Sequence, residues 1–155
     1  MSPAGAWARA GLVMVAVIAL DQATKALVRS NVAIGDSDGV LPAVQIVHVR
    51  NEGVAFSRFS SGGTVVSIIV GAALVALLVY FITHIDKPLV WLPTGMLLGG
   101  ALGNVIDRIR DGAVTDFIKL PGWPAFNVAD ISITFGVLVL LYVTERPRNA
   151  AASDA

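Results

Sequence analysis

The chain has 155 residues, 55% of them hydrophobic and 14% charged, with no net charge and a mean hydropathy of +0.76. Soluble domains carry about 25% charged residues, so the composition excludes an ordinary water-soluble globule and points to a single polytopic membrane domain. The lack of cysteine excludes disulfides, thiol nucleophiles and thiolate metal sites, and the balanced charge makes no case for nucleic acid as a partner.

Four hydrophobic segments are expected to form transmembrane helices, at about residues 10–28, 64–83, 89–107 and 128–145, followed by a polar, disordered tail at 146–155. Segment one is apolar over 10–20 and reaches residue 28 only by including Asp21 and Lys25. An apolar run this short after Arg9 also fits a signal-peptide h-region, although Ala19 and Ala23 offer poor cleavage contexts. In the long connection 30–63, residues 44–49 partly alternate and read as a short strand. His48 is expected as an exposed residue of that strand, not a catalyst. Asn51-Glu52-Gly53 reads as a turn in which Gly53 is free to take a positive φ. Segments two and three carry no charge over 64–83 and 89–106, and the tight turn at 84–88 makes them a helical hairpin.

Segment three holds Gly95, Gly99 and Gly103 at four-residue spacing, with Gly100 and Asn104 as a parallel row. Small residues at this spacing let helices approach closely in lipid. The exposed stretch 109–124 has Gly112, Pro121, Gly122 and Pro124 around another expected short strand. Segment four is apolar over 131–144 and approaches the ~20 residues of a span by taking in Asp130. Trp7, Trp91 and Trp123 are read as interfacial anchors.

The polar residues gather at matching ends. Asp21 and Lys25 close segment one, Asn104, Asp107 and Arg108 close segment three, and Asn127 and Asp130 open segment four. In a chain of four passes these ends share one face, and both long connections lie on it, so a small extramembrane β element is expected over a polar site. Carboxylates at a membrane face are costly and call for a reason. Asp116 and Asp130 are the candidate catalytic pair, because the loop between them is short enough to bring them together. Two adjacent carboxylates share a proton, with one pKa raised; one then activates water while the other polarises a carbonyl.

Each also has a purely structural reading. Asn127 fits an N-cap with Asp130 at the third helical position, as in a capping box, and Asp116 fits a strand-end carboxylate paired with Arg108 or Lys119. Asp21 and Lys25, four apart, share a helix face and suit a helix-end ion pair. Asp107 is expected in a local network with Arg108, Arg110 and Asp111. The chain has no His-Glu-x-x-His helix, no Gly-x-Ser-x-Gly elbow and no Asp-Thr/Ser-Gly signature. The residues alone therefore favour a membrane-embedded aspartyl protease. The alternative is a proton- or cation-coupled transport or binding protein, against which the lack of an internal repeat counts.

These stretches together resemble the lipoprotein signal peptidases, or signal peptidase II, of bacteria. The resemblance is carried by Asp21-Gln22-x-x-Lys25, Asn51-x-Gly53-x-Ala55-Phe56, Gly103-Asn104-Val105-Ile106-Asp107-Arg108, Gly112-x-Val114-x-Asp116-Phe117 and Phe126-Asn127-x-Ala129-Asp130, in the family's order over about residues 12–144. It implies a mainly α, four-helix polytopic fold with a small extracytoplasmic β element and a mobile loop. It also implies catalysis by Asp116 and Asp130 without metal or cofactor. Asn51, Asn104, Arg108 and Asn127 match positions that hold substrate backbone or lipid-proximal groups, and Asp21 and Lys25 match a supporting pair on a retained first helix; Gly53, Asp107 and Ala129 fall in the same blocks. The implied substrate is a prolipoprotein whose lipobox cysteine carries diacylglycerol, cleaved just before that cysteine by a monomer in the plasma membrane, with membrane lipid as its other partner. Both termini would be cytoplasmic and the site near the outer face, whereas a bare positive-inside count over Arg29, Arg50, Arg58, Arg108, Arg110 and Lys119 favours the opposite orientation. The stretch 119–125 is shorter than in many members, which bears on loop mobility and substrate preference.

Overall fold

The computed structural model describes residues 2–52 and 62–145. Along the chain it forms α1 (Pro3–Asn31), β1 (Ser37–Leu41), β2 (Val44–Asn51), α2 (Gly62–Thr83), α3 (Trp91–Asp111), β3 (Val114–Lys119) and α4 (Val128–Glu145). The expected mobile loop around Gly53 and the tail 146–155 lie outside the described residues.

Helix α1 starts well before the apolar run that announced it. Ser2 accepts the Gly5 N–H at 3.2 Å, and Pro3 occupies the first turn, where its missing N–H costs nothing. The added turns are used in packing: Ala6 and Ala10 are buried with Phe81, Val90 and Val143 in an apolar core at this end. Trp7 meets Phe81 edge-on at 4.7 Å, and the Arg9 guanidinium lies 5.7 Å from the Trp91 ring centre. Two of the three expected anchors therefore pack on neighbouring helices, while Trp123 is largely exposed. Helix α3 also overruns its apolar segment, to Asp111. Gly112 ends it in the left-handed region (φ 72°), its N–H bonded to Arg108 O at 3.1 Å.

The glycine rows of α3 act as expected of small residues. A Cβ at Gly95 would stand 2.6 Å from Ala10 O of α1, and one at Gly100 would stand 2.5 Å from Ala129 O of α4. Two faces of α3 thus hold two helices at near backbone contact. The outward faces are apolar: Leu12, Val15, Ile68, Val75, Leu138 and Leu141 are all well exposed, whereas Asp21, Lys25, Asp107 and Asn127 are fully buried. Such an inversion suits lipid as the solvent. Helices α1 and α4 are each long and apolar enough to cross a membrane, and α2 contributes the apolar stretch Gly71–Thr83.

The strands form one antiparallel sheet in the order β1-β2-β3. Strand β1 was not expected, since Asp38 and Gly39 are poor strand formers; it pairs with β2 from Ser37↔Val47 to Gly39↔Gln45 and shifts register before Leu41↔Val44. In β2–β3, Val49 faces Asp116 and Asn51 faces Val114, which places Asn51 and Asp116 diagonally on one face. His48 is buried at 6% exposure, contrary to expectation, because its Nδ1 lies 2.8 Å from Val32 O just beyond the end of α1.

Candidate active site

The site forms where the end of α1, the end of α3, the start of α4 and strands β2 and β3 meet. After β3 the chain doubles back: Ile118 N–H donates to Phe126 O at 2.8 Å and Phe126 N–H to Ile118 O at 3.0 Å. This bridge delivers Asn127 to the mouth of α4. There Asn127 and Asp130 form the reciprocal capping box: Asp130 N–H donates to Asn127 Oδ1 at 3.0 Å, and Asn127 N–H donates to Asp130 Oδ2 at 3.2 Å. The structural reading of Asp130 is thus realised, and it leaves Oδ1 free for another donor.

That donor is Asn104, whose Nδ2 lies 2.9 Å from Asp130 Oδ1. The Asn127 side chain, fully buried, donates from Nδ2 to Asp116 Oδ1 at 2.7 Å and to Asn104 Oδ1 at 3.1 Å. Asn51 closes the other side of Asp116, donating to Oδ2 at 2.9 Å. Two carboxylates are therefore tied into one network by three asparagines. Neither Arg108 nor Lys119 is paired with Asp116: Arg108 donates to Asn104 O at 3.3 Å and Lys119 to Trp123 O at 2.8 Å.

The carboxylates differ in setting. Asp116 is 3% exposed, in the middle of β3, whereas Asp130 is half-buried at a helix N-terminus. Burial pushes Asp116 up to about 6, and the Asp130 charge pushes the same way; the Asn51 and Asn127 hydrogen bonds and the Lys25 charge oppose the rise without cancelling it.

Beneath the pair lies a fully buried ionic knot. Lys25 Nζ reaches Asp21 Oδ2 at 2.8 Å, Asp107 Oδ2 at 3.0 Å and Asn104 Oδ1 at 2.9 Å. Asp21 turns its other oxygen to the Ala129 N–H at 2.9 Å, so α1 supplies a cap to α4. Asp107 accepts the Thr115 N–H at 3.1 Å. The expected network of Asp107 with Arg108, Arg110 and Asp111 is therefore corrected in part: its direct partners come from α1 and β3, because the side chain points into the bundle, and Arg29, 3.8 Å from both Asp107 Oδ1 and Asp111 Oδ2, links it to the Arg110–Asp111 pair. Ala129 is enclosed, with its oxygen against Gly100 and its Cβ 3.6 Å from where a Gly103 Cβ would stand.

Every candidate site residue except Gly53, which lies outside the described residues, is thus found at this one end of the bundle. Sequence reasoning placed Gln22 in the first motif block and Arg29 in the charge count but gave neither a role in the site. Gln22 donates to Asp107 Oδ1 at 3.0 Å and to Gly103 O at 3.1 Å; Arg29 donates to Thr115 Oγ1 at 3.1 Å and stands 3.8 Å from Asp107 Oδ1. Their signal was the stripe Gln22, Lys25, Arg29 at helical spacing on an otherwise apolar helix.

Residues 13–145 match the family model described as signal peptidase (SPase) II. The chain belongs to the signal peptidase II family. A lipoprotein signal peptidase of Moorella thermoacetica is 39% identical over 133 residues, which span 84% of this chain and 89% of that protein. One from Dehalococcoides mccartyi is 41% identical over 146 residues, 88% of this chain and 90% of that protein. A bacterial membrane enzyme solved by the in meso method at 1.9 Å resolution superposes with a TM-score of 0.82 at 35% identity, over 88% of this chain and 92% of that one. Membership makes the chain an aspartic peptidase and a membrane-embedded bacterial protein. The family expectation and the residue-level reading thus agree on the enzyme class.

Proposed function

We propose that the chain removes the signal peptide from diacylglyceryl-modified prolipoproteins immediately before the lipidated cysteine, with Asp116 and Asp130 as the catalytic pair. The observation that carries this is the joining of two carboxylates from β3 and α4 through Asn127 and Asn104. Asp116, buried and raised to about 6, suits the protonated partner that donates to the scissile carbonyl oxygen. Asp130, which accepts from the Asn104 side chain and the Asn127 backbone N–H at the mouth of α4, suits the base that takes a proton from water. The water oxygen bonds to the carbonyl carbon. Asp130 then returns its proton to the departing amine as the C–N bond breaks, and Asp116 recovers its own from the collapsing hydroxyl.

Asn51 and Arg108 border the pair and take the substrate backbone and the groups near the lipid. In this reading all four helices cross the membrane, the termini lie in the cytoplasm and the site opens at the outer face, so the lipid stays in the bilayer while the scissile bond meets the interface. The exposed apolar faces support it, as does an apolar cavity of about 510 Å³ between α2, α3 and α4, lined by Ile133 three residues beyond Asp130 and by Leu97, Ala101 and Tyr80. The protein acts as a monomer. Gating of the site by the first long loop is part of the proposal, resting on its length and on Gly53, since Gly62 and Gly63 begin α2; an equal cleavage rate after Gly53→Ala would count against it.

The test is cleavage by the purified protein in detergent, with EDTA present, of a precursor with or without diacylglycerol. The expected result is one cut before the cysteine of the lipidated precursor alone, read by mass spectrometry. Cleavage of both forms at equal rates, or of neither, contradicts the proposal.

A further inference from the structure

We infer that Lys25 is a positioning residue for the reaction: its ammonium fixes which way round the Asn104 side-chain amide sits, and that amide aims Asp130. The inference rests on Asp130 being the base, as proposed above.

An asparagine amide presents an acceptor at one end and two donors at the other, and the two ends have nearly the same shape. Packing alone does not choose between them. At Asn104 the choice is made by two donors that converge on Oδ1, Lys25 Nζ at 2.9 Å and Asn127 Nδ2 at 3.1 Å. Turned over, Asn104 would set its own NH2 against an ammonium and an amide NH2, in a place where Lys25 is 0% and Asn104 8% exposed. Lysine has no acceptor to offer in return, and buried donors without acceptors are costly. The oxygen is therefore held toward α1, which leaves Nδ2 toward Asp130 Oδ1 at 2.9 Å.

Charge balance does not require this third bond. Lys25 already has two carboxylate partners, Asp21 at 2.8 Å and Asp107 at 3.0 Å. What the bond to Asn104 adds is the orientation of the amide that serves Asp130. Asp21 braces the same turn of α4 from the other side, through the Ala129 N–H next to Asp130. Lys25 itself is fully buried, bonds groups of α1 and α3 and touches no reacting atom; beyond the charge it sets near Asp116, its effect passes through Asn104.

The test measures kcat and KM on the lipidated precursor for Lys25→Met, Asn104→Ala and the two combined. Action through Asn104 predicts that Lys25→Met lowers kcat about 10-fold or more with KM changed less than about twofold, and that the double variant is no slower than Asn104→Ala alone. Losses that multiply, or a loss carried by KM, overturn the inference. Since Lys25→Met leaves Asp21 and Asp107 facing each other uncompensated, the cycle is repeated with Asp21→Asn, which keeps an acceptor for Ala129 and leaves Asp107 beside Arg29. Asp130→Asn is measured alongside. Full turnover in Asp130→Asn overturns the base assignment and this inference with it. An inert Asp130→Asn beside a folded Lys25→Met of wild-type kcat overturns this inference alone.

Discussion

At one end of the bundle Ala6, Ala10, Phe81, Val90 and Val143 are buried together without a charge among them; at the other, Asp21, Lys25, Asn104, Asp107 and Asn127 are equally buried and all polar. The apolar end is held by contact. In lipid that contact gains little from the hydrophobic effect, because the surroundings are as apolar as the core. The polar end is held by directed bonds, each of which fixes an angle as well as a distance. Catalysis needs carboxylates fixed in direction, and only the second kind of packing supplies that. The price is a region in which any removed partner strands another.

The largest effect on stability is expected where the polar end is broken. Asp21→Ala leaves Lys25 with one fewer carboxylate and the Ala129 N–H without its acceptor, and is expected to cost about 3–5 kcal/mol, read as a fall in the thermal midpoint in detergent together with loss of cleavage. A midpoint within a degree or two of wild type would show that the knot is not a support. Next comes the apolar end. Phe81→Ala removes the side chain under Trp7 and is expected to cost less than the roughly 3–5 kcal/mol of the same change in a water-soluble core, with kcat retained. A loss of kcat as large as that of Asp21→Ala would erase the distinction between the two ends.

The smallest stability effect lies in the pH dependence. The folded protein holds the Asp116 proton up to about 6, against 3.8 for an ordinary aspartate. Between these values the folded state binds more protons than the unfolded one, so this contribution to stability falls as pH rises through that window, and the full cost is present above it. Asp116→Asn removes this pH-dependent cost but turns an NH2 toward the Asn51 or the Asn127 donor, so the variant is expected to be the less stable protein at pH 3 and to gain up to about 3 kcal/mol relative to wild type between pH 3 and pH 8. A stability difference that is the same at both pH values would mean that burial of Asp116 carries no penalty.

Most of the helical frame is legible in the apolar runs, and most of the site in the polar residues that interrupt them. Helix ends were less so: Ser2 and Pro3 extend α1 through local capping that hydropathy does not register. Strand β1 is hidden because Asp38 and Gly39 are poor strand formers and the register shifts just after them. The partners of Asp107 were misread for another reason. Its neighbours in sequence are cations, but the direction of a helical side chain favours Lys25 and Gln22, more than eighty residues away along the chain. The joint service of Asn127 as helix cap and carboxylate bridge could not be read from spacing, since the capping pattern and the catalytic pattern place the same residue types at the same positions.

The most direct test of the central claim compares wild type, Asp116→Asn and Asp130→Asn for cleavage of a diacylglyceryl-modified prolipoprotein, each confirmed folded by its thermal midpoint. Conversion by wild type and a loss of kcat of at least about 10³-fold in either variant are expected. Undiminished turnover in either folded variant would remove that carboxylate from the reaction and contradict the account.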